Sequence, residues 1–398
     1  MPTRIITHIA LLVSLTVLSP LQATAQNYFS HIRDLQNKIT LGSTEPDFNV
    51  FVISTEMIIG RARPIIEKAP QGLYVTVGSE RGFRGASMAP NTTHLLLLDI
   101  SPAIIRFNRI NTELLKAPNL SEYKRLRWTS SAEEWTQFKN KLKKHSFKVG
   151  LNEDDFTWWE QNVRDLKNFT YPIPELLNHF GRDTFVDQFH AINKRMKEKE
   201  DLTPEESAWW KKHLGTSEKP GYIAPWVKDG TTAIDMGSVI DFKSGNYLYD
   251  EKLYNNLHSL AIKDRIASIR MNLSDQDHVS QLVKSITRSK LKLSVLDLDN
   301  SFYEAYLGQK VYRTLVESFL AVGQPQSILM MMQNYKNFGS SQFQTYIGFR
   351  FSNVKKWPEK FLIQDFFSTL PEDLLDLISG RLYEEWEMPP LNYLEKLN

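Results

Sequence analysis

Short apolar runs bounded by glycine, proline and acidic residues alternate along this chain with stretches whose apolar residues recur every third or fourth position. Leu73-Tyr74-Val75-Thr76-Val77 is β-rich and flanked by glycines, which predicts a buried strand. A second run, Thr93 to Ile100, predicts another strand. Beyond it Ile104, Ile105, Phe107 and Ile110 take up helical spacing, with Ser101 as N-cap and Pro102 as first helical residue, so the order reads strand, loop, strand, helix. Alternation resumes after Gly245. A helix from about Asp250 to Ile262 leads to a strand Arg265 to Met271, and Asn272-Leu273-Ser274-Asp275 then opens a helix through Ile286. Leu291 to Leu298 predicts a strand, Val311 to Val322 a helix and Ser327 to Met332 a strand. Phe343, Thr345, Ile347, Phe349 and Phe351 alternate as one face of a terminal strand. Strands separated by helices of this length imply parallel βαβ units, hence an α/β class with a mostly parallel sheet and helices on both faces.

The segments outside this alternation differ in kind. Ile32, Leu35 and Ile39 have helical spacing, and a second helical stretch runs from about Ser54 to Lys68. Residues 118 to 245 lack strand patterns and hold seven of the nine tryptophans, which predicts a large, mainly helical insertion. Its helices open at Ser131-Ala132-Glu133-Glu134, Asn152-Glu153-Asp154-Asp155 and Thr203-Pro204-Glu205-Glu206, each a cap followed by first-turn acids. The insertion divides the α/β domain into residues 26 to 117 and 246 to 355. The tail, 356 to 398, reads as helices on the outside.

Composition adds a compartment. Within residues 1 to 25, Arg4 is the sole formal side-chain charge, an apolar run extends from Ile5 to Leu21, and Ala23-Thr24-Ala25 offers small residues for cleavage before Gln26. This predicts a signal peptide and an exported protein, periplasmic or secreted. His8, Ser14, Thr16, Pro20 and Gln22 interrupt the run too often for a comfortable membrane span, and no transmembrane segment is expected in the mature chain. An exported chain of 398 residues with no cysteine forgoes disulfides and must rely on a packed core, for which 41% apolar content is ample. Lys and Arg number 48 against 46 for Asp and Glu, so net charge carries no nucleic-acid signal.

In an open α/β sheet, ligands lie at the carboxyl ends of the strands, where the strand order reverses. Four predicted strand ends carry chemistry: Gly78-Ser79-Glu80-Arg81-Gly82, Asp99, Asn272 to Asp275, and Asp297-Leu298-Asp299-Asn300. A glycine loop lets a ligand approach the backbone, and an acid about 20 residues later can accept hydrogen bonds from both ribose hydroxyls. Asp99 follows Gly78 by 21 positions. Two roles are open to it, ribose ligand or helix cap, and Gly78 and Gly82 could equally form an ordinary strand-to-helix turn. Asp275, Asp277 and His278 are close enough for a metal site, although solvation of a helix start is the commoner meaning.

Val75 to Gly82 followed by Leu96-Leu97-Leu98-Asp99-Ile100-Ser101-Pro102 resembles the first two motifs of class I S-adenosylmethionine-dependent methyltransferases. Ser294-Val295-Leu296-Asp297-Leu298-Asp299-Asn300 resembles their fourth-strand motif. The likeness covers roughly residues 50 to 117 and 245 to 352 and is closest to exported bacterial methyltransferase-like proteins. It implies a Rossmann-like fold with S-adenosylmethionine as cofactor. Gly78, Ser79, Glu80 and Gly82 would shape the cofactor loop, Asp99 hold the ribose, Asn272 or Asp275 meet the adenine, and Asp297 begin the catalytic side. Asp299, Asn300 and Tyr303 would serve methyl transfer to an acceptor, a small molecule or a protein. Glu80 would face the cofactor's own carboxylate, with Arg81 or Arg84 offsetting the repulsion. The alternative is a non-catalytic Rossmann-like binding or interaction protein. The insertion's tryptophans would line an acceptor pocket or form the core of a helical cap.

Overall fold

A computed structural model describes residues 29–35, 39, 59–143, 151–160, 163, 192, 195, 201–213, 244–299, 301–302, 307–336, 342–357 and 380–383. The predicted signal peptide lies outside these residues. Seven strands form one sheet: β1 Gly72–Val77, β2 Thr92–Asp99, β3 Ile266–Arg270, β4 Leu293–Asp297, β5 Gly323–Lys336, β6 Gln342–Arg350 and β7 Arg381–Tyr383. Their order across the sheet is β3-β2-β1-β4-β5-β6-β7. The first five pair in parallel, β6 runs antiparallel to β5, and β7 is parallel to β6. This is a Rossmann-like α/β fold with helices on both faces.

Alternation along the strands divides the core into two layers. Tyr74, Leu95, Leu97, Val295 and Met330 face one layer, whereas Leu73, Val75, Leu96, Leu98, Leu296 and Met331 face the other. The first layer is covered by helices α1 (Glu80–Met88) and α2 (Pro102–Leu114) and by the described part of the predicted insertion. That part comprises α3 (Leu120–Lys124), a π-helical turn Arg125–Thr129, α4 (Ala132–Lys143), α5 (Glu153–Trp159) and α6 (Pro204–His213). Helix α7 (Glu251–Ile262) completes the layer. The second layer is covered by α8 (Gln276–Arg288), α9 (Gly308–Leu320) and the helical residues 29–35.

The cap chemistry works as the sequence predicts. Ser131, Asn152 and Thr203 each accept from the backbone three residues on, while Glu134, Asp155 and Glu206 return a carboxylate to the cap's own N–H. Among the described tryptophans of the predicted insertion, Trp135 and Trp159 are core residues. Trp159 stacks on Phe107 with ring centroids 5.3 Å apart, Trp135 packs against Phe138 and Phe156, and Trp158 and Trp209 lean on the same cluster. The helical segment therefore shares one core with the sheet.

Several elements differ from the sequence pattern. Helix α1 intervenes between β1 and β2, because tertiary packing overrides the low helix propensity of Gly82 and Gly85. A Cβ on Gly82 would stand 2.6 Å from Thr76 Cγ2 and 2.7 Å from Leu97 Cδ2, so only glycine lets α1 lie this close to the sheet. Gly82→Ala is accordingly expected to cost about 1–3 kcal/mol in thermal unfolding, the range for overfilling a packed core. The predicted helix Ser54 to Lys68 is described only from Ile59, as a 3₁₀ turn Ile59–Ala62 and a single helical turn Arg63–Ile66. In the tail, Arg381–Tyr383 add a strand beside β6.

Candidate functional site at the carboxyl edge

The chain leaves β1 for β2 and β3 on one side and returns to β4 on the other, so the strand order reverses between β1 and β4. Such a reversal is where doubly wound sheets place their ligand crevice. Val77 pairs with Leu98 and Thr76 with Asp297, which brings Gly78, Asp99 and Asp297 to one edge. Asp99 pairs with Arg270, and Met271 N–H donates to Asp99 O at 2.9 Å, so the end of β3 belongs to the same edge.

Gly78 has φ +88°, a left-handed conformation that L side chains adopt only at a cost, and a Cβ built there would meet nothing within 4 Å. The backbone is open above this residue. Its N–H donates to Leu98 O at 3.1 Å, and its carbonyl accepts from Asn108 Nδ2 of α2 at 3.0 Å. The Gly78 turn is thus held from the helix that follows Asp99. Ser79 is the buried N-cap residue of α1, and its side chain makes no capping hydrogen bond.

The Asp99 carboxylate sits beside this turn. Its Oδ1 accepts from Ser101 N–H at 2.8 Å, in place of a cap by Ser101 itself. Burial pushes its pKa from the usual 3.8 up to about 6, against the backbone N–H groups of Ser101, Ile100 and Gly78, which draw it down. Cap and ligand are therefore compatible roles: one oxygen serves the helix start, and a carboxylate has acceptor capacity for a neighbouring diol as well.

The other predicted residues are placed differently. Asn272 and Asp275 reach the right edge, but their oxygens are engaged locally. Asn272 Oδ1 accepts from Ser274 N at 2.9 Å and Ser274 Oγ at 2.7 Å, and Asp275 caps α8 by accepting from Asp277 N at 2.9 Å and His278 N at 3.2 Å. Among the described residues no group of three or more metal-binding side chains forms here or elsewhere. Gly82, as above, serves the packing of α1.

Glu80 departs from its expected position. Its fully buried carboxylate turns from the crevice into the first core layer, where Arg127 Nη1 lies 2.8 Å from Oε1 and Arg84 Nη2 3.6 Å from Oε2. Burial raises its pKa, and the charges of Arg127 and Arg84 outweigh that and hold the group below the ordinary range. Arg127 is the main partner of Glu80, with Arg84 beside it, and the pairing lies in the core.

At the switch point, Asp297 is fully buried and accepts from Tyr74 OH on Oδ2 at 2.9 Å. Arg81 Nη1 is 2.7 Å from its Oδ1, and Arg81 Nε is 3.5 Å from Asp299 Oδ1. Burial pushes the Asp297 carboxyl up, Arg81 pulls it down, and Asp299 adds to the rise. Asp299 has φ +54°, a left-handed position uncommon for a non-glycine residue. The phenol of Tyr312, fully buried against Phe302, is raised well above its usual pKa by burial and by the charges of Asp297 and Asp299. Asn300 and Tyr303 lie outside the described residues. Sequence reasoning missed Tyr74, Arg127 and Tyr312, which have no local motif, and the pairing of Arg81 with Asp297 and Asp299 has no sequence signal.

No family model matches the chain, and no curated protein is detectably similar to it. Among the described residues, no helix is long and apolar enough to cross a membrane.

Proposed function

We propose that this is an exported, methyltransferase-like protein, periplasmic or secreted, that binds S-adenosylmethionine or a related nucleotide across the ends of β1 and β2. One observation carries the reading: an open, left-handed glycine and a half-desolvated carboxylate stand side by side at the carboxyl edge, next to the reversal of strand order. The backbone at Gly78 and Ser79 meets the ligand closely, Asp99 accepts from the ribose hydroxyls, and the Asn272–Asp275 turn flanks the base. A methyl group would pass to an acceptor, a small molecule or a protein, brought in line with the sulfonium near Asp299, since positioning dominates such a displacement. A second reading is a binding protein with no transfer step. The engagement of Asp297 and Asp299 by Arg81 favours it, because a carboxylate already paired with a guanidinium is a poor proton acceptor.

Calorimetry with S-adenosylmethionine and S-adenosylhomocysteine on the mature chain tests the binding site. Asp99→Ala is expected to weaken binding by about ten- to a hundredfold, as befits the loss of hydrogen bonds to a charged group. Binding unchanged by Asp99→Ala would remove Asp99 from the site, and no binding of either ligand at millimolar concentration would overturn the reading. Formation of S-adenosylhomocysteine from S-adenosylmethionine in an envelope extract separates the two alternatives: turnover supports transfer, and binding without turnover supports the second reading.

A further inference from the structure

We propose that Arg127 is a positioning residue for the ligand loop, acting through Glu80 from beneath the site; the inference rests on the binding reading above. Glu80 is the first residue of α1, two positions after Gly78, and its carboxylate is drawn down into the core rather than out to the edge. Arg127 Nη1 donates to Glu80 Oε1 at 2.8 Å and to Tyr123 OH at 2.7 Å. Tyr123 OH donates to Asn111 Oδ1 of α2 at 2.6 Å, and Tyr247 OH donates to Glu80 Oε1 at 3.3 Å. The Arg127 guanidinium also lies over the ring of Phe107 in α2, 5.4 Å from its centroid. All of these side chains are fully buried.

One guanidinium thus braces both halves of the site. Through Glu80 it holds the start of α1 and the Gly78–Ser79 turn, and through Asn111 and Phe107 it holds α2, the helix that begins just after Asp99 and whose Asn108 grips the Gly78 carbonyl. Pairing of β1 with β2 puts the glycine turn beside Asp99, and the Arg127 network adds a tie between α1 and α2, the two helices that start from these strand ends. Stability is a poor explanation for the pair, because two charges lose their hydration in the core and apolar replacements of a buried ion pair are often neutral or stabilising. A role in fixing geometry accounts for it. Arg127 is carried on the π-helical turn Arg125–Thr129, a local departure from α geometry that is frequent at functional sites.

The test separates positioning from folding by removing both charges at once. Arg127→Met alone leaves Glu80 unpaired in the core and is expected to lower the unfolding temperature. Glu80→Met with Arg127→Met is expected to recover most of that loss while binding S-adenosylhomocysteine at least tenfold more weakly than the unaltered chain. A double variant that binds as tightly as the unaltered chain would overturn the proposal. Should the double variant fail to fold, Arg127→Lys serves instead. It keeps the charge but lacks the planar fork that reaches Glu80 and Tyr123 together, so weaker binding at an unchanged unfolding temperature supports positioning and unchanged binding refutes it. If the unaltered chain binds, Asp99→Ala weakens that binding, and the pair variants do not, only the positioning role fails. If the unaltered chain does not bind, both fail.

Discussion

Arg81→Met is expected to destabilise the folded chain by about 3–5 kcal/mol in chemical denaturation at neutral pH, the cost of leaving one member of a buried ion pair without its partner. Arg81 is 4% exposed and Asp297 0%, so water cannot replace the lost guanidinium, and Tyr74 OH remains as the described hydrogen-bond donor to Asp297 from a side chain. Asp297→Asn in the same background is expected to recover much of the loss by removing the stranded charge. The pH dependence has a definite sign. Burial already raises the folded pKa of Asp297 above its ordinary value, and loss of Arg81 raises it further. Its folded-state contribution is then largest below the unfolded pKa and declines as pH climbs through the folded one, so the deficit should shrink as the pH is lowered. A deficit under about 1 kcal/mol, or one that grows toward acid, would show that the cluster is solvated or unpaired in solution.

Asp99→Asn is expected to have opposite effects on stability and on binding. The rise of the Asp99 pKa from 3.8 to about 6 means that the folded chain holds this proton more tightly than the unfolded chain. Stability from this group is therefore complete below about pH 4 and is lost as the pH rises through about 6. At about 1.4 kcal/mol for each tenfold change in proton affinity, the loss amounts to about 3 kcal/mol at neutral pH. Asparagine keeps an oxygen for the Ser101 N–H and carries no charge, so the variant should be more stable than its parent by about 1–3 kcal/mol at pH 7.5 and equal to it near pH 4. Its affinity for a ribose diol should fall. A side chain that burdens the fold in this way fits a residue kept for function. Equal stability of variant and parent across this pH range would place Asp99 in a well-hydrated position and remove the argument.

Much of the architecture was legible because it is local. The apolar centres of the strands and the three cap sequences at Ser131, Asn152 and Thr203 rest on neighbours in the chain, and each forms where the sequence puts it. Helix α1 was not legible, since Gly82 and Gly85 are poor helix formers chosen for contact with Thr76, Leu97 and Tyr74. Strand β5 runs from Gly323 to Lys336, longer than its apolar centre: β6 pairs with its polar carboxyl end as far as Lys336, and Gly323 pairs with Leu293 of β4. The direction of Glu80 could not be read either. It is decided by Arg127, 47 positions away, and Tyr247, 167 positions away, neither of which has a motif pointing to it. Asp275 offered ligand or cap from sequence alone, and the two backbone N–H groups at its carboxylate show the cap.

A crystal structure of the protein with S-adenosylhomocysteine tests the central claim most directly. The expected result is the ligand at the ends of β1 and β2, both ribose hydroxyls within hydrogen-bond distance of the Asp99 carboxylate and its backbone-facing side against Gly78. Ligand bound elsewhere on the molecule, or an Asp99 carboxylate left untouched at saturating concentration, would contradict it.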